Sequence, residues 1–188
     1  MDILGIFTAF GLSASAGLNA YIPLLVIGVI AHYTDWINLQ SPWDLLANPW
    51  VLIVLGILVI IEMVADKIPA VNHINDAIQT IIRPAAGAIA FAASARIITD
   101  IHPVLAIICG LLVAGSVHAV KSAVIRPAVT ATTGGIANIP VSIAEDFVAT
   151  LLSILAIVIP ILVVVFLILF VALIIWWFWR RAQRKPRA

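Results

Sequence analysis

Two stretches of this chain run for more than thirty residues without an Asp, Glu, Lys or Arg, from Ile3 to Thr34 and from Phe147 to Trp179. An α-helix rises about 1.5 Å per residue and a bilayer's hydrocarbon core is about 30 Å thick, so roughly twenty apolar residues cross it. Water could not solvate the outside of a compact globule carrying such segments. The composition agrees: 64% of residues are hydrophobic, only 10% are charged, and the mean hydropathy is +1.21. Soluble domains are about 45–50% apolar and about 25% charged. These values exclude an ordinary soluble enzyme, a nucleic-acid binder and a disordered scaffold. The expected fold class is an all-α, polytopic membrane protein of four to six hydrophobic segments, with membrane lipids as its first partners and no nucleic acid.

The formal charge of +1 is unevenly spread. Arg180, Arg181, Arg184, Lys185 and Arg187 fall in the last nine positions, leaving residues 1–179 with five basic against nine acidic side chains, a net of −4. Basic clusters beside a spanning helix stay cytoplasmic. Residues 1–179 are therefore expected to form a single transmembrane domain and 180–188 a basic cytoplasmic tail. The start of the chain lacks the positive region of a secretory signal, so the first segment is expected to be retained. The lone Cys109 excludes an internal disulfide and a cysteine metal cluster. The localisation expected is a cell membrane, the bacterial inner membrane, with both termini cytoplasmic.

Six apolar segments can be delimited. The first runs from Ile3 to about His32, is rich in small residues around Gly11–Gly17, and meets Pro23 just after Asn19. The second covers 49–65 and ends in Glu62, Asp66 and Lys67. A third, 77–98, is interrupted by Arg83-Pro84 and Arg96. A fourth covers 103–120. A fifth, 122–142, is barely hydrophobic and contains Arg126-Pro127, Gly134-Gly135 and Pro140. The last, 147–179, is too long for one upright span, so tilt, a kink at Pro160 or an overhang is needed. Trp36, Trp43 and Trp50, and then Trp176, Trp177 and Trp179, mark two interfaces. Proline and paired glycines weaken helices. The two Arg-Pro segments are therefore expected to be broken or re-entrant, leaving four spans; the alternative is that all six cross.

Ile82-Arg83-Pro84-Ala85 recurs as Ile125-Arg126-Pro127-Ala128, 43 residues on. If the Arg-Pro segments re-enter, the two units form an inverted repeat, an arrangement common in transporters. If all six segments span, the units are parallel.

The runs Gly17-Leu18-Asn19-Ala20-Tyr21-Ile22-Pro23, Ala65-Asp66-Lys67-Ile68-Pro69, Asn75-Asp76-Ala77-Ile78-Gln79-Thr80 and Arg126-Pro127-Ala128-Val129-Thr130-Ala131-Thr132-Thr133-Gly134-Gly135 resemble the bacterial integral membrane family listed as domain of unknown function 4126. The resemblance covers about residues 5–160. It implies a multipass membrane protein and no particular activity.

An ionisable group at the bilayer centre costs ~2.5–3.5 kcal/mol or more, so charges there are paired, wet or functional. Arg83 and Arg126 are candidate anion-binding residues, their guanidiniums facing one hydrated hollow; the plainer alternatives are pairing with Glu62, Asp66, Asp76, Glu145 or Asp146, or snorkelling to an interface. Thr132, Thr133 and Asn138 are candidate ligand-lining residues of a glycine turn. Asn19 is a further candidate substrate-binding residue; it and Asn138 are alternatively partners for backbone carbonyls freed by a nearby proline. Glu62, Asp66, Asp76, His118, Lys121 and Glu145 are candidates for proton coupling or ion pairing, and His73 lies near them. No metal centre or cofactor is expected.

Three functions compete. One is a transporter or translocase for an anionic solute or lipid phosphate, with protons as the coupling ion. Another is a structural or assembly subunit, for which a homo-oligomer is one form. The third is a membrane-embedded lipid-modifying enzyme, against which no nucleophile elbow or His-Glu zinc motif is present.

Overall fold

The computed structural model describes residues 3–98 and 101–183. It is all-α. In chain order the helices are α1 (Ile3–Leu18), α2 (Tyr21–Tyr33), α3 (Pro49–Ala65), α4 (Pro69–Ile98), α5 (Pro103–Val120), α6 (Arg126–Thr133), α7 (Asn138–Val158) and α8 (Pro160–Gln183). A short 3₁₀ turn, Trp43–Ala47, precedes α3, and a π turn, Lys121–Ile125, joins α5 to α6. Three stretches are long and apolar enough to cross a membrane: Ile74–Ser94, Pro103–Thr133 and Asn138–Val158.

Local chemistry sets several boundaries. Asn48 caps α3 by accepting from the Trp50 N–H, and Pro49 opens the helix where a missing N–H costs nothing. His102 and Pro103 start α5 in the same way. At the other end of that rod, Gly134 and Gly135 adopt positive φ (63° and 88°) and stop α6, a conformation that favours glycine.

Helix directions follow from paired positions. Along α1 and α4, Phe10 stacks on Phe91, while Ala20 and Arg83 both reach Glu62, so these helices are antiparallel. Ser13 donates to the Gly110 carbonyl and Lys121 to the Leu18 carbonyl, so α5 runs parallel to α1. Thr8 donates to the Ala156 carbonyl and Ser15 to the Ala149 carbonyl, so α7 is antiparallel to it. The chain reverses after Leu18: Thr8 of α1 and Ile27 of α2 line one cavity. Helix α3 then runs back alongside α2, with Leu52 packed near Gly28 and Glu62 near Ala20.

The body of the bundle is built from small residues. Ala9, Ala14, Ala16, Ala86, Ala90, Ala114, Ala149 and Ala156 are buried, together with Ser13, Ser15 and Ser153. Many large apolar side chains face out: Ile53, Ile57, Ile60 and Ile61 on α3, and Leu105, Ile108, Leu111 and Leu112 on α5 are exposed. Without a hydrophobic drive between helices in lipid, association depends on close backbone packing and polar contacts, and small residues permit both.

Several expectations are corrected. The Arg83-Pro84 element neither breaks nor re-enters; α4 runs through Pro84. A Cβ built on Gly115 would lie 3.6 Å from Pro84 Cγ, so the ring rests where α5 presents no side chain. The Arg126-Pro127 element does not re-enter either. It extends α5, and the wide π turn ahead of it relieves the clash of Pro127 with the preceding turn. The segment drawn as 122–142 is therefore the end of one rod and the start of α7. The element that folds back is the first apolar segment, at Asn19. The inverted repeat is also overturned. Helices α3 and α5 point the same way, and Arg83 sits mid-way along the helix after α3 whereas Arg126 sits on the extension of α5 itself. The last segment, 147–179, divides at Ile159 (φ −140°, ψ 71°) just before Pro160. Of the basic tail, residues 184–188 lie outside the described residues.

Candidate functional site: an ion network at a broken helix

The reversal between α1 and α2 leaves orphan backbone groups inside the protein, and side chains satisfy them by charge. The Leu18 carbonyl, at the negative end of α1, accepts from Lys121 Nζ at 3.0 Å. On the other side, Ala20 N donates to both Glu62 carboxylate oxygens at 3.1 and 3.3 Å, and the Tyr21 and Ile22 N–H groups donate to Asn19 Oδ1 at 3.2 Å. A cation at a helix C-terminus and an anion at an N-terminus are the arrangement the helix dipole favours.

These groups belong to a larger network. Arg83, with a side chain 0% exposed, donates to Glu62 Oε1 from Nε (3.1 Å) and Nη2 (2.9 Å), and from Nη2 to Asp66 Oδ2 (3.4 Å). Asp66 Oδ2 also accepts from Arg126 Nη2 (2.9 Å) and Lys121 Nζ (3.5 Å), while its Oδ1 accepts from Asn75 (2.7 Å). Arg126 Nη1 donates to both oxygens of Asp76 at 3.0 and 3.1 Å. Glu145 Oε2 takes Lys121 at 2.8 Å and Arg126 at 3.5 Å. Asp146 joins Asn19 Nδ2 and Lys67 Nζ, each at 3.0 Å. His118 Nδ1 lies 3.2 Å from Arg83 Nη1 and Nε2 lies 3.2 Å from Thr80 Oγ1. A guanidinium only donates, so Nδ1 accepts and the imidazole in this arrangement is neutral, with its proton on Nε2.

Arg83 and Arg126 thus converge, but on a carboxylate oxygen rather than on the hydrated hollow expected. A cavity of about 490 Å³ lies elsewhere, between Thr8, Ile27, Ile37, Ser94 and Ile157, at the far end of α1 from Leu18. The two arginines also differ. Arg83 is sealed, whereas Arg126 belongs to the part of the network that reaches the surface, with Asp76 and Lys67 side chains 20% and 27% exposed.

Of the other candidates, Asn19, Glu62, Asp66, Asp76, His118, Lys121 and Glu145 all lie in this network. Asn19 serves N–H groups and Asp146, not the carbonyls near Pro23. Thr132 and Thr133 do not join it; their exposed hydroxyls bond the Ala128 and Val129 carbonyls of their own helix. Asn138 bonds Thr130 Oγ1 in the same exposed turn. The His73 side chain lies outside the described structure. Asn75, Gln79 and Ser142 were not singled out by sequence. Their signal was spacing: 75, 79 and 83 share one face of α4, and 142, 145 and 146 one face of α7. No group of three or more His, Cys, Asp or Glu suited to a metal occurs among the described residues.

Fold and site together define a class: an all-α bundle with apolar outer faces, helices long and apolar enough to span a membrane, and charges gathered within. The chain belongs to the family described as Domain of unknown function (DUF4126), whose model matches residues 6–180. No curated protein and no solved structure matches it.

Proposed function

We propose that the chain is a small multipass transporter or translocase of the bacterial inner membrane, moving an anionic solute or lipid phosphate, with the network at the α1–α2 break as its working site. Its basic C-terminal end is assigned to the cytoplasm. The observation that carries the proposal is the gathering of nine charged side chains, most of them buried, at an interruption of the helix backbone. Glu62 lies twelve residues beyond Trp50 on α3, about 18 Å along the helix, and with Trp50 at an interface that depth would fall near the middle of a hydrocarbon core about 30 Å thick, which supports the reading. Apolar side chains would hold such a bundle at lower desolvation cost. Ionisable groups at this depth mark ion or substrate pathways.

Arg126 is the anion-binding group. Neutralising Asp76, at the rim, releases Nη1 of its guanidinium, and a phosphate or carboxylate of the substrate takes the vacated place. Arg83, locked to Glu62 and His118, holds the broken helix while this happens. The test is uptake of labelled phosphate, and scrambling of a fluorescent phospholipid, by the purified protein in liposomes. One of the two is expected to exceed protein-free vesicles, and a folded R126A variant is expected to lose at least about tenfold of it, the worth of one charge-assisted hydrogen bond. Wild-type flux in folded R126A would overturn the mechanism, and no flux of either kind in the wild type would overturn the function.

A second reading, a structural or assembly subunit, is favoured by one observation: Lys67, Arg83, Lys121 and Arg126 each have a carboxylate partner. It calls for a stoichiometric partner on purification and no flux.

A further inference from the structure

We infer that α6 is a gate over the network. It hinges at the π turn and at Gly134–Gly135, Arg126 latches it shut, and an anion that takes Arg126 from its carboxylates opens it. The inference rests on the reading of Arg126 as the anion-binding group and adds the motion that its occupation drives.

The first observation is how little else holds this helix. Arg126 is its one buried residue; Val129 is half-buried and the other six residues are exposed. An eight-residue helix is marginal by itself and depends on a packed apolar face, which α6 lacks. The Thr132 and Thr133 hydroxyls bond carbonyls within α6. A side-chain tie to the start of α7, from Asn138 Nδ2 to Thr130 Oγ1 at 2.9 Å, is exposed.

Both ends can bend. At one end the backbone widens into the π turn Lys121–Ile125, and Pro127 has no N–H to donate back into it. π turns inside helices recur at functional sites. At the other end Gly134 and Gly135 have φ of 63° and 88°, and a Cβ on Gly134 would meet nothing within 4 Å. A few element-terminal residues of this kind absorb the rotation of a hinge.

The latch is releasable. Arg126 reaches Asp66 after α3, Asp76 on α4 and Glu145 on α7, at 2.9, 3.0 and 3.5 Å. Two of those carboxylates keep partners when it leaves: Asp66 retains Arg83, Lys121 and Asn75, and Glu145 retains Lys121. The third, Asp76, has a side chain 20% exposed and turns to water. None of the three is stranded in the interior, the outcome that makes breaking a buried ion pair costly. Arginine pairs with phosphate as it does with carboxylate, so the anion replaces the bonds that it removes. Opening bares Asp66 and Glu145, whose side chains are 2% and 10% exposed in the latched arrangement.

The test is hydrogen–deuterium exchange of the full-length protein in detergent, read at the backbone of 128–137 and along α1 and α4. In R126Q the 128–137 segment is expected to exchange at least about tenfold faster, with α1 and α4 unchanged. D76N keeps Arg126 and its other two carboxylates and guards against a misfolded R126Q; its exchange is expected between the two. In the wild type, inorganic phosphate replacing chloride at constant ionic strength, or a short-chain phosphatidic acid added to the micelles, is expected to hasten the same segment, and R126Q is expected not to respond. A response to phosphatidic acid alone assigns a lipid phosphate, and any response to inorganic phosphate a free anion. If α6 exchanges at the wild-type rate in both variants, if every helix speeds up with it, or if neither anion acts on the wild type, the gate is overturned. An opening gate without flux in liposomes would overturn transport alone, and flux with a static α6 would overturn the gate alone.

Discussion

Two arginines in the same tetrapeptide setting have different work to do, and burial separates them. Removing Arg83 strands Glu62 and takes a partner from Asp66 and His118 in a place closed to water. Breaking one partner of a buried ion pair costs about 3–5 kcal/mol. Arg126 lies nearer the rim, so R126A is expected to cost roughly half as much, and unfolding of both variants in micelles checks the order. Lysine at 83 is expected to recover little, because it cannot fill Glu62 and Asp66 together from one planar fork. Asn19 offers a sharper comparison. N19A loses the cap on Tyr21 and Ile22 and the bond to Asp146, about 2 kcal/mol in all. N19D keeps an acceptor for the N–H groups but faces Asp146 with a second carboxylate, so it is expected to unfold below N19A; the reverse order would remove the assigned role. At this scale the sequence was informative. Charge in an apolar chain must find partners, and that alone nominated Glu62, Asp66, Arg83, Lys121 and Arg126. The neutral Ser142 and Gln79 carry no such signal, since serine and glutamine occur wherever helices touch.

Among elements, the close approach of α1, α4 and α5 depends on absent side chains. A Cβ at Gly87 would overlap Ala114 Cβ and come within 2.9 Å of the Gly110 carbonyl and Ser13 Oγ. Gly56, on the outer part of α3, has nothing within 4 Å. G87A is therefore expected to destabilise by about 1–3 kcal/mol, and G56A to be neutral or to gain up to about 1 kcal/mol from helix propensity. Equal melting temperatures for the two would contradict this packing. Proline misdirected the reading of helix breaks. Pro84 lies inside a helix because Gly115 makes room for its ring, and Pro127 follows a π turn that absorbs its clash. The true reversal, at Asn19–Ala20, has a local trace in the Asn19 cap and in Pro23 of the first turn of α2, but Glu62 and Lys121, which hold it from other helices, leave none there.

In the molecule as a whole, among the described residues, charges gather inside a small-residue core while many large apolar side chains face outward. Its membrane depth can be probed with single cysteines, Cys109 being replaced by alanine. A cysteine at Ile57, exposed on α3 about 10 Å beyond Trp50, is expected to resist a membrane-impermeant maleimide in sealed vesicles opened to either side. One at Thr132, in the exposed α6 end, is expected to react from one side. Similar reaction rates at both would contradict the placement. Class and family were legible from hydropathy and motif, whereas the relative directions of α3, α4 and α5 were not, because a four-residue echo says nothing about which way a helix runs. The central claim, that a charged network inside the membrane moves an anion through Arg126, is met most directly by flux. The purified protein in sealed liposomes would be given labelled phosphate outside, or a fluorescent phospholipid in one leaflet. Entry or scrambling above that of protein-free vesicles, cut at least about tenfold in folded R126A, is the expected result. No flux of either kind in the wild type would contradict it.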